Sequence, residues 1–195
     1  MRHRIDKTTL LNTLSIWNRY LKRKVRIIAC GGTALTLLNL KESTKDVDFL
    51  IPETQEYEYL VKTMIDLGYV RTTGTGWQKK QGFIFDLFVG KTIFTTELLE
   101  SPLEMGNHIP VKEFSSIYLG ILNYYDLIIT KLFRYTPIDI NDCRTLLKEK
   151  IKEINIKKLK TRFYETSSYD VSDERNRKNF KYFLEFLKEE KILDE

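Results

Sequence analysis

The chain has 195 residues, 42% of them hydrophobic and 12% aromatic, with 32 Lys and Arg against 27 Asp and Glu for a formal net charge of +5. That length and apolar content are enough to bury a core as one domain, or as a domain with a helical appendage, and the sequence holds no repeats and no low-complexity linker. No run of about 18 apolar residues occurs, and residues 1–12 lack the continuous apolar segment of a secretory signal, so a cytoplasmic protein with no membrane partner is the expectation.

In chain order, Leu10, Leu11, Leu14, Ile16, Trp17 and Leu21 recur at helical spacing after Asp6 and Lys7, which predicts an amphipathic helix with a basic exit and puts Trp17 in the core. Val25 to Ala29 reads as a buried strand, Gly31-Gly32 as the break after it, and residues 33–40 as a short helix rich in Ala and Leu. Asp46 to Ile51 alternates carboxylate and apolar side chains, a strand with Asp46 and Asp48 on one face and Val47 and Phe49 on the other. Pro52 ends it. A second helical pattern over 57–67 stops at Gly68, a residue favoured just past a helix end because it accepts a left-handed backbone.

Residues 69–72, 77–80 and 83–89 read as an antiparallel meander with a Gly74-Thr75-Gly76 turn between the first two strands. Residues 108–111 add an edge strand, because Pro110 cannot donate to a ladder. Asn123 stands where a helix would start, as its cap, with Asp126 accepting from first-turn amides, and that helix runs to about Tyr135. Thr136-Pro137 closes it, Asp139 caps the next, and the remainder reads as helices. The expected division is an α/β catalytic domain over residues 1–112 and a helical C-terminal region over 113–195.

Charge is unevenly spread: residues 1–26 carry eight Lys or Arg against one Asp, and residues 148–162 carry seven against two acids. Such clusters suit a polyanion such as RNA, or they are solvated helix faces. Cys30 and Cys143 have no partner at metal-ligand spacing and read as reduced core thiols. His3 and His108 lack the spacing of a general base or a zinc ligand. Trp77, beside Gly76 and Lys79-Lys80, reads as a packed hairpin aromatic, with base stacking as the alternative.

The chemistry rests on Asp46, Asp48 and Asp86. Two divalent cations about 3.5 to 4 Å apart need several hard oxygen ligands converging on one point. Asp46 and Asp48 supply one cluster, and Asp86 on a neighbouring strand supplies a third corner and a group to orient or deprotonate a nucleophile. Gly31 and Gly32 let backbone amides reach a triphosphate with no Cβ in the way, and Thr33 adds a hydroxyl at a helix start. Taken singly, a Gly-Gly turn is packing and an Asp-x-Asp pair is common at strand ends. Asp86 is harder to dismiss, because it interrupts an apolar run and an unpaired buried carboxylate is costly.

Gly31-Gly32-Thr33, Asp46-Val47-Asp48 and Asp86 resemble the signature of the DNA polymerase β-like nucleotidyltransferase superfamily. More narrowly, Gly31-Gly32-Thr33-Ala34-Leu35 with Ser43-Thr44-Lys45-Asp46-Val47-Asp48 is similar to the minimal prokaryotic nucleotidyltransferases that include AbiEii-type and MenT-type toxins, as are Asp126 to Leu132 and Asp139 to Asp142. The resemblance implies an α/β (α+β) fold with a mixed sheet, helices on one side and a C-terminal helical region. It also implies two Mg²⁺ ions, an NTP substrate and release of pyrophosphate. Asp46, Asp48 and Asp86 would be the catalytic carboxylates and metal ligands. Gly31, Gly32, Thr33 and Lys45 would lie against the nucleotide, and Lys131 would meet the triphosphate as a point charge unless it is a surface lysine. Asp142 would hold either Lys131 or the nucleotide.

The implied activity is transfer of a nucleoside monophosphate to an RNA, tRNA first, as the toxin of a toxin-antitoxin or phage-defence pair with an antitoxin protein as partner. Two other functions stay open: transfer of AMP to a protein hydroxyl, and a catalytically silent module that binds nucleotide or a partner protein.

Overall fold

The structure, a computed structural model, describes residues 4–80 and 82–193. The expectation for His3 therefore lies outside the described residues. In chain order the elements are β1 (Ile5–Asp6), α1 (Lys7–Tyr20), β2 (Val25–Ala29), α2 (Gly31–Leu37), β3 (Ser43–Thr44), β4 (Asp46–Ile51) and α3 (Thr54–Asp66). The strands β5 (Val70–Arg71), β6 (Gly76–Gln78), β7 (Ile84–Val89), β8 (Thr92–Ile93), β9 (Thr96–Glu97), β10 (His108–Glu113) and β11 (Ile117–Leu122) follow. Four helices complete the chain: α4 (Tyr124–Arg134), α5 (Pro137–Lys150), α6 (Ile156–Ser168) and α7 (Asp173–Glu189), with a 3₁₀ turn (Ile151–Glu153) after α5. Two compact units result, Met1–Ile93 with Glu100–Asn123, and Phe94–Leu99 with Tyr124–Glu195.

The first unit is built on a seven-stranded sheet in the order β10-β11-β2-β4-β7-β6-β5. It is mixed: β11 runs parallel to β2 and β4 parallel to β7, while the other neighbours are antiparallel. Asp6 caps α1 by accepting from the Thr9 amide at 2.8 Å, and α1 buries Leu10, Leu14 and Trp17. Trp17 lies 4.8 Å from the Phe85 ring and donates its indole N–H to the Tyr69 hydroxyl at 3.1 Å. Phe85 alternates with Asp86 along β7, so α1 covers the face of the sheet opposite the carboxylates. The expected meander is present as β5-β6-β7, and Trp77 within it is 6% exposed, which makes it a packed aromatic and removes it as a stacking platform.

Three boundaries differ from the sequence reading. α2 opens at Gly31, so the glycine pair forms the first turn of the helix and does not precede it. α3 begins at Thr54, where Glu56 in its first turn accepts from the Arg26 amide at 2.7 Å and anchors the helix to β2. Ile117–Leu122 is a strand buried between β10 and β2, and it carries the first unit to Asn123, beyond the expected boundary at residue 112. Its near-continuous apolar run is what a strand buried on both faces requires. β10 is the edge strand Pro110 implied, with a register shift between Pro110 and Lys112.

In the second unit α4 is buried from Asp126 to Phe133, which is the pattern of a helix packed on several sides, here by α5, α6 and α7. Phe163 stacks on Phe180 at 3.9 Å and meets Phe133 edge-on at 5.4 Å. Pro137 occupies the first turn of α5 and the cap is Thr136, whose hydroxyl accepts from the Asp139 amide at 3.2 Å and donates to the Asp139 carboxylate at 2.7 Å. Asp139 is thus the reciprocal partner of the cap and not the cap itself. Asp126, in the first turn of α4, takes the Arg162 guanidinium of α6 on its two oxygens at 2.6 and 2.8 Å. Among the described residues no helix is long and apolar enough to cross a membrane.

Candidate active site

The parallel pairing of β4 with β7 sets Asp48 directly beside Asp86, with Asp46 two residues earlier beside Ile84. Side-by-side residues of a parallel pair point to the same face, and strands sit about 4.8 Å apart, so the three carboxylates share one face of two adjacent strands. Asp48 is 8% exposed, whereas Asp46 and Asp86 are half-buried. Burial pushes the Asp86 carboxyl above its ordinary value, the Asp46 charge adds to the rise, and a hydrogen bond from the Thr75 hydroxyl at 2.9 Å opposes it.

The chain turns into α2 where β2 stops pairing with β4. Their ladder ends at Ala29 and Phe49, extended by the Cys30 amide donating to the Asp48 carbonyl at 3.1 Å. Beyond that point Thr33 takes over from β2: its hydroxyl accepts from the Asp48 amide at 2.9 Å and lies 3.5 Å from the Asp46 carbonyl, which also accepts from Thr44 at 2.9 Å. Two threonines thus hold the segment that presents Asp46 and Asp48. Thr33 is fully buried, and its hydroxyl serves β4.

Gly31 is the tightest contact of the site. It has φ +55°, and a Cβ there would stand 2.1 Å from Asp48 Oδ2. A Cβ on Gly32 would meet Thr44 Oγ1 at 2.7 Å. Gly31 is therefore required twice, once for a left-handed backbone and once so that the carboxylate fits beneath the turn, and Gly32 leaves room for the Thr44 hydroxyl. Lys45, between Thr44 and Asp46, is exposed.

The divalent cations implied by the resemblance can be judged against these residues. The donors are three carboxylates on one face, hard oxygen ligands of the right class, and Asp48 Oδ2 fills the cradle that the missing Gly31 Cβ leaves. Among the described residues no three His, Cys, Asp or Glu side chains close around a point as metal ligands do. The chain presents the donor set on two strands without a closed cage.

In the helical unit Lys131 is 1% exposed and donates to Asp142 at 2.7 Å, with Asp139 3.6 Å away and itself paired to Arg134. Of the alternatives open for Asp142, this geometry is the one in which it holds Lys131. Lys131 is not a surface lysine; its ammonium is shut from solvent within an ion-pair cluster. Cys143, next to this cluster, is a buried thiol whose pKa is driven up by burial, and Cys30 is buried as well. His108 has Nδ1 2.6 Å from the Pro102 carbonyl and Nε2 2.7 Å from the Tyr118 hydroxyl, so both ring nitrogens are used within the fold.

Sequence reasoning missed Thr75 and Thr44, the hydroxyls that fix Asp86 and the start of β4. Thr44 lies in the Ser43 to Asp48 motif and Thr75 in the Gly74-Thr75-Gly76 turn, and neither position signals a role by its spacing.

Residues 108–191 match the family model described as "Nucleotidyltransferase of unknown function (DUF6036)". That match takes in β10, β11 and most of the helical unit, and the three carboxylates lie outside it. The crystal structure of ANT(2")-Ia in complex with adenylyl-2"-tobramycin superposes with a TM-score of 0.58 at 13% identity, covering 84% of this chain and 98% of that one. The fold is that of a nucleotidyltransferase. A putative nucleotidyltransferase from Thermotoga maritima also matches, with a TM-score of 0.47, 17% identity and coverage of 75% and 98%. No curated protein sequence matches the chain.

Proposed function

We propose that this protein is a nucleotidyltransferase that moves a nucleoside monophosphate from an NTP to a hydroxyl of RNA. The observation that carries the reading is the shared face of Asp46, Asp48 and Asp86, with Asp48 seated under a glycine turn that admits no side chain. A silent binding module would have no use for three carboxylates on one face, one of which, Asp86, is raised by burial and further by the Asp46 charge.

The steps follow from what these side chains can do. First-turn amides of a helix have no intrahelical acceptor, so those of Gly31 and Gly32 would serve phosphate oxygens, with the exposed Lys45, the residue before Asp46, as a further cation. Divalent cations held by Asp46, Asp48 and Asp86 would neutralise the triphosphate and stabilise the leaving oxygen. Asp86, the half-buried base with the raised pKa, orients the acceptor hydroxyl and takes its proton. The acceptor oxygen then bonds to the α-phosphorus as the bridging P–O bond to the β-phosphate breaks, and pyrophosphate leaves. Thr33 and Thr44 keep β4 in register for this.

The acceptor is argued from charge. Lys148, Lys152, Lys157, Lys158 and Lys160 of the helical unit are exposed, as are Arg19, Lys22 and Arg23 of the N-terminal cluster, whereas Lys7 and Arg26 are engaged within the fold. Five exposed lysines on neighbouring elements suit a phosphate backbone. The tobramycin adduct in ANT(2")-Ia shows that this fold also serves a small polyamine acceptor. A chain of net charge +5 is poorly matched to a polycation, which favours RNA over that class. The further reading as a toxin with an antitoxin partner rests on the AbiEii-like motifs and predicts growth arrest on expression that depends on Asp48.

The test is label transfer from each α-³²P NTP with Mg²⁺, offering total RNA, lysate protein and an aminoglycoside in parallel. Label in RNA that Asp48→Ala loses supports the proposal. Label only in protein or only in the aminoglycoside moves the acceptor to that class, and no label with any acceptor overturns it.

A further inference from the structure

The Asp86 carboxylate receives a hydrogen bond from the Thr75 hydroxyl at 2.9 Å, the one hydrogen bond to its oxygens found among the described residues. We infer that Thr75 is a positioning residue for nucleotidyl transfer: it occupies Oδ1 of Asp86 and so assigns Oδ2 to the acceptor hydroxyl or the cation. This rests on the function proposed above and deepens it.

The backbone around Thr75 fixes the contact. The Thr75 carbonyl accepts from the Leu87 amide at 3.1 Å, and Gly76 pairs with Asp86 in the β6–β7 ladder, so the turn is tied to β7 on both sides of the carboxylate it serves. The turn itself is closed by the Thr72 amide donating to the Gly76 carbonyl at 2.8 Å. Its glycines are there for space and conformation: Gly74 has φ +65°, and a Cβ on Gly76 would stand 2.3 Å from Thr72 Oγ1. A β-branched residue is stiff at χ1, so Thr75 offers its hydroxyl in a narrow set of directions.

The consequence is orientational. A carboxylate on a strand can rotate about its terminal bond, and a nucleophile-orienting group must hold one oxygen at one place to within a fraction of an ångström. A donor anchored to the same strand locks that rotation without adding charge. Partners of this kind, one shell out from the reacting groups, cost about 10–100-fold when removed.

The experiment uses the full chain with Thr75→Val, Thr75→Ser and Asp86→Asn. It measures kcat and KM for NTP by pyrophosphate release with Mg²⁺ and total RNA, and Mn²⁺ affinity by electron paramagnetic resonance with the metal alone. Thr75→Val is expected to lower kcat about 10–100-fold with KM for NTP within about twofold and to weaken Mn²⁺ binding, while Thr75→Ser restores both. If Thr75→Val also lowers the melting temperature, Thr75→Ser decides: kcat close to that of the parent chain supports the inference, and a loss as deep as that of valine overturns it in favour of packing. Wild-type kcat in Thr75→Val with a dead Asp86→Asn overturns this inference alone. Undiminished turnover in Asp86→Asn overturns the proposed function itself.

Discussion

At the scale of single residues, the role proposed for Asp86 comes at a cost in stability. Its folded pKa is raised, so its contribution to stability is present below the ordinary carboxylate value and is lost as pH rises through the raised one. Ionised Asp86 therefore costs stability at neutral pH in the metal-free protein. Asp86→Asn should melt higher than the parent at pH 7, and the gain should vanish as the pH falls below about 4, where the parent carboxyl is protonated as well. Melting curves across pH check this, and equal melting temperatures at pH 7 would remove the argument. Gly31→Ala is the opposite case. With φ +55° and 2.1 Å to Asp48 Oδ2, alanine costs about 1–2 kcal/mol from the backbone alone and displaces the carboxylate, so both stability and transfer should fall. Asp48→Ala should abolish transfer and leave the melting temperature unchanged or higher.

At the scale of elements, β4 and α5 show what the sequence reveals and what it hides. Alternation of Asp46, Val47, Asp48 and Phe49 fixes a strand with carboxylates on one face, and the interruption of Ile84–Val89 by Asp86 marks a second, because period-two patterns report faces directly. That the two strands are neighbours, with Asp48 level with Asp86, is a matter of tertiary pairing that no local pattern contains. The same limit hides β11: a short apolar run buried on both faces has no period to read, so Ile117–Leu122 falls within the expected helical region. Lys131 shows it again. A lysine at helical spacing reads as a charge for the triphosphate or as a surface residue until the partner helix brings Asp142 to 2.7 Å, which makes it neither surface nor open to solvent. Removing one member of that buried pair should cost about 3–5 kcal/mol, so Lys131→Met should lower the denaturation midpoint sharply. Lys131→Met with Asp142→Leu together should recover part of the loss, and a double variant no better than the single would contradict the pairing.

For the whole molecule, the charge distribution and the carboxylate face make separable predictions. If RNA is the acceptor, its KM should rise steeply with salt, with a slope of about 0.7 in the logarithm for each phosphate neutralised. Reversing Lys157, Lys158 and Lys160 to Glu should weaken RNA use while leaving the response to NTP intact; equal loss of both would mean that the substitutions act through folding. The central claim, that Asp46 and Asp48 form a cation-dependent nucleotide site, is tested most directly by the melting temperature with Mg²⁺ and NTP added together. A ligand that binds only the native state must raise it, by about 2.7 kcal/mol of stability at 100 times the Kd. The expected result is a rise with at least one NTP that needs Mg²⁺ and disappears in Asp46→Ala/Asp48→Ala. No rise with any NTP, or the same rise in the double variant, would contradict it.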